Sequence, residues 1–300
     1  MLLGAADYFA GDWLRMTADV VGAVANLGFG TMNLRVLDPA AVAEDDIVRI
    51  RGLFADRGLV VGQTVGAYGG GLVSPDDSVR DATIEHVKLM CDLTGRLGAP
   101  NTYLRPGSLN TDGAWLPHRG NRSDSVFDRL VDSATRICQT AEATGTKVAV
   151  EAGVVSPLYS AARVRAFIEA VDSPALGFNQ DPVNLVGCLE DAYDTTRLIN
   201  ESFDLLGAWT IGAHAKDVRV VDGLLPHFEE AEIGDGLLDH VTLLARMQAV
   251  APDAHVLIEH LPAARFGPAR RALLGFADQA GIVWDAPDTE DPSNRVAEAG

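Results

Sequence analysis

The sequence predicts a single α/β domain folded as a (β/α)8 TIM barrel. A chain of 300 residues is an ordinary length for one such barrel. Eight short apolar runs alternate with longer segments of helical periodicity, as expected when one helix follows each strand. A doubly wound sheet would normally carry a glycine-rich phosphate loop after its first strand, and "GAADYF" is not such a loop.

The predicted elements follow one another along residues 1–283. The strands are predicted at 2–8, 31–37, 59–65, 101–107, 147–153, 176–182, 210–217 and 255–261. In "AARVRAFIEAV", apolar residues recur at i, i+3, i+4 and i+7, which predicts a helix; they are Val164, Phe167, Ile168 and Val171. Similar patterns predict helices around Ile84–Leu97 and Val126–Cys138. The polar segment 284–300 is expected to be a disordered tail.

Charge and hydropathy exclude several classes of protein. The net charge of −18 and the lack of a Lys/Arg cluster argue against a nucleic-acid partner. No window approaches 18 consecutive apolar residues, so no membrane helix is predicted. The N-terminus has no basic region before an apolar core, so we expect a cytoplasmic protein. A small molecule is the expected partner, and a homo-oligomer is left open.

The cysteines are three in number and far apart in the chain, with no CxxC pair. This spacing suits neither a disulfide framework nor a cysteine metal site. We therefore expect Cys91, Cys138 and Cys188 to be reduced, buried, small hydrophobic residues.

Four polar residues lie at the ends of the last four predicted strands, in chain order. They are Glu151, Asp181, His214 and Glu259. In a barrel, catalytic groups sit at the carboxyl ends of the strands. Three carboxylates and one imidazole suit a hard or borderline divalent ion better than Zn²⁺. We predict one shared ion, Mn²⁺ first, with Mg²⁺ or Co²⁺ as alternatives; the competing interpretation pairs each acid with a Lys or Arg.

Other polar residues near the strand ends and in two long loops are predicted to bind substrate. They are Arg35, Gln63, Arg105, Lys216, His118 and His227. Trp115 and Arg119 share the loop of His118 and are suited to cover a substrate. For both loop histidines, a solvent-exposed position without a role is the alternative. Three further histidines lie in helices or at a strand start and are interpreted as structural: His86, His240 and His255.

Several motifs resemble the sugar phosphate isomerase/epimerase family of xylose-isomerase-like barrels. They are "VAVEAG", "GFNQDPVNL", "GAHAKDVR", "IGDGLLDH" and "LIEH". The family includes ketose 3-epimerases, hydroxypyruvate isomerase and inosose dehydratase. The resemblance implies that Glu151, Asp181, His214 and Glu259 hold one divalent metal. It also implies that Glu151 and Glu259 move the substrate proton and that Arg219 holds substrate oxygens.

One position departs from the family pattern. Where the family commonly has Asp-x-x-His after the sixth strand, this chain has Asp181-Pro-Val-Asn184. An Asn side chain can hydrogen-bond a substrate hydroxyl, but it cannot carry a proton. Asn184 is therefore predicted to bind substrate, and the contact made elsewhere by the histidine is in doubt.

The resulting functional prediction is a metal-dependent isomerase or epimerase that acts on a ketose, sugar acid or sugar phosphate through an enediolate. A lyase on the same site is the alternative, as a dehydratase, decarboxylase or C-glycoside-cleaving enzyme. An apurinic endonuclease is rejected, because strands two to four offer Asn33, Arg35, Gln63 and Arg105 where that class needs histidines. A non-catalytic sugar-binding barrel is a third alternative.

Three arginines bear on the charge of the substrate. Arg35 and Arg105 lie near strand ends, and Arg119 lies in the long loop above them. Guanidinium groups gathered at one pocket would favour a carboxylate or phosphate between them. The alternative is that they point outward or pair with some of the 42 acidic residues.

Overall fold

Eight parallel strands close into a barrel in a computed structural model that describes residues 1–286. The barrel strands are β1 (Leu2–Ala5), β2 (Thr31–Val36), β3 (Val60–Gly66), β4 (Asn101–Leu104), β5 (Lys147–Val150), β6 (Leu176–Gln180), β7 (Thr210–Ala215) and β10 (His255–Ile258). Parallel pairing of β1 with β10 closes the ring. The fold class and all eight predicted strands are confirmed.

A two-stranded antiparallel hairpin follows the seventh barrel strand. It consists of β8 (Asp217–Val221) and β9 (His227–Ala231). The sequence did not indicate these strands, because the segment was interpreted as a loop. The hairpin leaves the carboxyl end of β7, so it stands at the mouth where the strands of the barrel end.

Helices surround the barrel and connect its strands. They are α1 (Ala18–Asn26), α2 (Glu44–Ala55), α3 (Asp77–Leu97), α4 (Asp124–Thr144), α5 (Ala161–Val171), α6 (Leu189–Tyr193), α7 (Thr195–Leu206), α8 (His240–Val250) and α9 (Phe266–Gln279). The predicted helix at 161–171 is confirmed, and its four periodic apolar residues are all buried. α3 and α4 end at Gly98 and Gly145 with φ of 72° and 68°, a left-handed conformation that glycine adopts without strain.

Inside the barrel, two polar side chains pack against Gly212 of β7. At Gly212 of β7, an added Cβ would lie 2.7 Å from Nε2 of His255 and 2.9 Å from Oδ1 of Asn179. These two side chains therefore fill the space that a larger residue at 212 would need. His255 is buried and structural, as predicted.

Two of the three cysteines occupy the predicted environment. Cys91 and Cys138 are buried, and no disulfide joins the cysteines in the described residues. The prediction for Cys188 is wrong, because this thiol is exposed and donates a hydrogen bond to Oδ2 of Asp191 at 3.1 Å. Its position directly before the short helix α6 leaves it at the surface.

The start of the predicted tail contacts the barrel. The backbone N–H of Asp285 donates to the carbonyl of Met1 at 2.9 Å, and its carboxylate pairs with the N-terminal ammonium. The rest of the predicted tail, 287–300, lies outside the described residues. Among the helices of residues 1–286, none is long and apolar enough to cross a membrane.

Candidate metal centre

Four predicted ligands meet at the carboxyl ends of neighbouring strands. Glu151, Asp181 and Glu259 each directly follow a barrel strand, and His214 lies near the end of β7. Each of the four is at most 5% exposed. Donor atoms of Glu151, Asp181 and His214 all lie within 4.8 Å of one another, so these three form a triad that can hold a metal ion. The neighbouring strand order places them together, as predicted.

The imidazole of His214 faces two carboxylates with one nitrogen. Its Nδ1 lies 3.0 Å from Oε1 of Glu151 and 2.9 Å from Oε2 of Glu259. Neither contact has the geometry of a hydrogen bond. A single proton on Nδ1 would therefore satisfy neither carboxylate well, whereas a cation between the three groups would contact all of them.

A buried amide pair fixes the other face of this imidazole. Oε1 of Gln63 lies 3.1 Å from Nε2 of His214, and Nε2 of Gln63 donates to Oδ1 of Asn101 at 2.9 Å. An amide oxygen can only accept, so Nε2 of His214 carries a proton and donates to Gln63, while Nδ1 faces the carboxylates. Gln63 thus lies beneath the cluster, fully buried, and not at the cavity where the sequence predicted a substrate contact.

Lys216 lies between the carboxylates. Its Nζ is 2.7 Å from Oε1 of Glu259, 2.8 Å from Oδ2 of Asp181 and 3.7 Å from Glu230. The side chain is 3% exposed. The sequence predicted Lys216 as a substrate ligand; in the structure its ammonium is the counter-ion of the acids, although it also borders the cavity.

Two residues that the sequence analysis missed orient Glu151. The hydroxyl of Tyr103 donates to Oε2 of Glu151 at 2.5 Å, and Nδ2 of Asn179 donates to Oε1 at 3.1 Å. Both lie on barrel strands, Tyr103 two residues before Arg105 and Asn179 two residues before Asp181. Because side chains two residues apart point to the same side of a strand, this spacing directs both into the barrel. That spacing was the signal available in the sequence.

The buried carboxylates of the cluster outnumber the two groups that can carry positive charge, Lys216 and His214. Burial raises the pKa of Asp181 well above its usual range, even though Lys216 opposes this. Burial raises the pKa of Glu151, but the neighbouring His214 and Lys216 together outweigh burial and lower the pKa overall. Burial disfavours the charged form of His214, but Glu259 and Glu151 outweigh it and hold the pKa of this imidazole well above its usual range. Three buried carboxylates thus share one ammonium and one imidazole.

The donor set fits a divalent cation. Both carboxylate oxygens of Asp181 and Nδ1 of His214 are buried without a hydrogen-bond partner among the described residues, although Oδ2 of Asp181 has its ionic contact with Lys216. Buried polar atoms nearly always have partners, so orphaned atoms of this kind need an explanation. A metal bound to the triad would satisfy them and offset the charge. The participation of Glu259 as a fourth ligand stays a prediction.

The hairpin separates predicted site residues from the cavity. Arg219 and Glu229 are cross-strand partners and share one face, where they form an ion pair with a 2.9 Å contact. Val218 and Glu230 occupy the other face, because side chains alternate along a strand. The side chains of Arg219 and His227 are 60% and 66% exposed, so the position of neither supports its predicted substrate contact.

The remaining predicted substrate residues are divided between the cavity and other surfaces. Asn184 borders the cavity beside the cluster. Arg35 is exposed, and Arg105 is stacked 4.5 Å over the Tyr68 ring with its guanidinium bonded to the Gly66 carbonyl. His118 borders a separate, more open cavity.

Arg119 is exposed and borders the same separate cavity as His118. None of Arg35, Arg105 and Arg119 lines the cavity beside the metal-ligand cluster. The predicted cluster of guanidinium groups is therefore not present at this cavity. Arg35 and Arg119 are exposed, as in the alternative, whereas Arg105 bonds to the Gly66 carbonyl and not to an acidic residue.

One residue of the mouth has an unusual backbone. His260 has a φ of 58°, a left-handed value that is uncommon outside glycine. Its Nδ1 lies 2.8 Å from Oε1 of Glu230, and this contact raises the pKa of His260 to about 8. Such backbone strain persists where surrounding contacts enforce it, and it is concentrated at functional sites. The turn directs His260 toward the hairpin instead of continuing the strand direction.

The fold and the cluster define a barrel protein whose polar residues converge at the C-terminal mouth. The family model of xylose isomerase-like TIM barrels matches residues 21–274, and the chain belongs to this family. The resemblance seen in the sequence motifs is thereby confirmed.

Solved structures share the fold at low identity. One is a xylose isomerase-like TIM barrel protein from Mycobacterium smegmatis in complex with magnesium (16% identity, TM-score 0.72, 93% of this chain and 97% of that chain). Another is 3-keto-D-glucoside 4-epimerase from E. coli (18%, TM-score 0.69, 92% and 99%). A third is D-psicose 3-epimerase with D-tagatose from Clostridium cellulolyticum H10 (14%, TM-score 0.70, 94% and 100%).

Proposed function

We propose that the chain is a divalent-metal-dependent sugar isomerase or epimerase that acts on a hydroxyketone through an enediolate. The observation that carries this proposal is the buried triad of Glu151, Asp181 and His214 at the barrel mouth, in which both Asp181 oxygens and Nδ1 of His214 lack a hydrogen-bond partner among the described residues. Similar folds titled as a psicose epimerase and a keto-glucoside epimerase support the choice of reaction class.

The triad would hold the ion, with Glu259 as the expected fourth ligand. Mn²⁺ is the first candidate, with Mg²⁺ and Co²⁺ as alternatives, because oxygen-rich sites with one imidazole suit these ions. A bound divalent ion would polarise the substrate carbonyl and stabilise negative charge that develops on its oxygen.

The carboxylates next to this position supply the proton transfers. Glu151 and Glu259 stand on strands separated by β6 and β7, so they can approach a substrate from different sides. One removes the proton α to the carbonyl, and the other returns a proton to the opposite face of that carbon, which gives epimerisation. Return to the neighbouring carbon gives isomerisation instead.

Neighbouring side chains keep these carboxylates in position. The Tyr103 hydroxyl holds Oε2 of Glu151, and the Lys216 ammonium holds Oε1 of Glu259. Asn184 borders the cavity and is the candidate to bind a substrate hydroxyl. These contacts keep both bases oriented before the substrate arrives, which is the condition for efficient proton transfer.

Solvent-deuterium uptake tests the reaction. Manganese-loaded protein should incorporate deuterium from D₂O into a reactive ketose, and product analysis by NMR separates epimers, isomers and eliminated products. Glu151→Gln and Glu259→Gln should each slow exchange by roughly 10²–10⁴-fold, since an amide cannot act as the base. Glu169→Gln, an exposed change on α5, is the matched control and should leave the exchange rate unchanged.

Metal analysis tests the site independently. Dialysis against Mn²⁺ should leave about one ion per chain, as expected for a single-metal site. The double variant Asp181→Ala/His214→Ala should retain none. Absence of bound metal in the wild type, or full retention in the double variant, would refute the metal assignment.

A further inference from the structure

The cavity beside the cluster has a charged floor and apolar walls. Its volume is about 360 Å³, in the range of sites that enclose drug-sized ligands. Glu151, Lys216 and Glu259 form the floor. The walls are mostly hydrophobic and comprise Trp115, Val154, Val155, Val183, Val186, Val218 and Phe228.

Most polar side chains of the lining are already bonded to other protein groups. Tyr103 donates to Glu151, and Glu230 accepts from His260. Glu229 pairs with Arg219 on the outer face of the hairpin. Among the described residues that line the cavity, the Asn184 side-chain amide and the Trp115 indole N–H remain without such a bond. A free ketose buries several hydroxyl groups, and hydroxyls placed against valine lose their hydrogen bonds to water without replacement.

A flat aromatic surface forms one wall. The indole of Trp115 lies against Gly153 so closely that an added Cβ would be 2.8 Å from its Cζ3 atom. Glycine at 153 therefore lets the ring approach the end of β5. Phe228 reaches the same cavity from the hairpin face that carries Val218. Two aromatic groups and a row of valines provide stacking and apolar contact, with the indole N–H of Trp115 as their single hydrogen-bond donor.

The apolar wall continues beyond this cavity. Val154 and Val155 also border a second cavity of about 340 Å³, lined by His118 and Arg119. The two cavities therefore share these valines, which place apolar surface beside both of them.

We propose that the walls bind an apolar aglycone, so that the substrate is a glycoside carrying a ketone on its sugar ring instead of a free ketose. This proposal rests on the proposed function and specifies its substrate class. A glycoside cannot open its ring to expose a carbonyl, so another enzyme must first oxidise a ring hydroxyl to the ketone. The reaction here would remove and return one proton beside that ketone, with no net oxidation.

Equilibrium binding of unoxidised probes tests the aglycone site. Phenyl β-D-glucoside, methyl β-D-glucoside and D-fructose are titrated by calorimetry into manganese-loaded and metal-free protein. We expect the phenyl glucoside to bind about tenfold more tightly than either other probe, as expected for burial of one aromatic ring. The ratio of the affinities for the two glucosides should be the same in metal-free protein, because the apolar wall residues are not metal ligands.

Two variants locate the effect. Trp115→Ala should reduce the ratio of the phenyl glucoside affinity to the methyl glucoside affinity at least threefold. Val183→Thr keeps the shape of an 8% exposed wall residue while adding a hydroxyl, and should also reduce the ratio. Val48→Thr, 62% exposed on α2, is the matched control and should leave the ratio unchanged.

The outcomes separate this proposal from the proposed function. Equal binding of the two glucosides, or a preference that survives both wall variants, overturns the aglycone site even if ketoses exchange deuterium. D-fructose binding as tightly as the phenyl glucoside overturns it as well. A wall-dependent phenyl preference in a protein that binds no metal and exchanges no proton supports the aglycone site and refutes the proposed reaction.

Discussion

Replacement of Asp217 by asparagine should destabilise the fold through the base of the hairpin. This buried carboxylate accepts backbone N–H bonds from Val218 and Leu238 on Oδ1, at 2.8 and 2.9 Å. Its Oδ2 accepts from Gly234 and Gly236 at 3.0 and 3.2 Å. The carboxylate therefore ties the loop after β9 to the start of β8.

The magnitude follows from these four bonds. The asparagine side chain would keep one oxygen, but its NH₂ group would face two N–H donors in place of the second oxygen. Each hydrogen bond to a charged acceptor contributes roughly 1.5–3 kcal/mol. Loss of two such bonds should lower the free energy of unfolding by about 3 kcal/mol. At roughly 2–4 °C per kcal/mol, Tm should fall by about 6–12 °C.

The effect should also depend on pH in a defined direction. Burial raises the pKa of Asp217, but the hydrogen bond with His240 and the backbone donors outweigh burial and lower it overall. A carboxyl with a lowered folded pKa contributes stability above its unfolded pKa of about 4 and loses it as pH falls through the folded value. The stability difference between wild type and Asp217→Asn should therefore narrow below about pH 4.

Calorimetric unfolding of both proteins between pH 3 and pH 7 measures this. Asp222→Asn removes the same charge from an exposed position on the hairpin turn and should change stability by no more than about 0.5 kcal/mol. A Tm of Asp217→Asn within about 1 °C of wild type at pH 7, or a difference that widens with acid, would refute the reasoning.

Three further predictions concern the barrel and its thiols. Gln63→Leu should weaken Mn²⁺ binding roughly 10–100-fold in a direct titration, whereas Gln63→Glu should keep the wild-type affinity for Mn²⁺. Equal Mn²⁺ affinities of Gln63→Leu and wild type would contradict the role of the amide. Gly212→Ala should cost about 1–3 kcal/mol of stability by overpacking, whereas Gly275→Ala, open on α9, should be stabilising, and the reverse order would disprove the packing argument. Native protein should expose one thiol to Ellman's reagent, Cys188, since Cys91 is buried with its pKa raised to about 12; reaction surviving Cys188→Ser would refute this.

The sequence was sufficient to predict that the four candidate ligands lie together, because barrel geometry links chain order to space. Glu151, Asp181, His214 and Glu259 follow successive strand ends, and parallel strands end at one mouth. Their proximity could therefore be predicted without knowing the structure of any loop. Tyr103 escaped attention because it lies within an apolar strand, where a tyrosine is ordinarily a packing residue.

The errors lie where a local element was not recognised. The segment after β7 was interpreted as a loop, and a loop has no fixed alternation of side chains. Its folding into a hairpin decides that Arg219 and His227 face solvent while Phe228 and Glu230 face inward. Arg105 was placed at the correct strand end, but Tyr68 and the Gly66 carbonyl engage its guanidinium, and no sequence pattern indicated those partners.

The hairpin also bears on how this barrel can diverge. Its hydrogen bonds belong to a sheet separate from the closed ring, so changes at its inward positions alter the cavity without touching the pairing of the barrel. Side chains alternate along its strands, so Val218, Val220, Phe228 and Glu230 share the inward face. A library that varies these four positions would search new ligand preferences on an unaltered scaffold. Insertion of a single residue in either strand would exchange the two faces and present an entirely different surface to the mouth.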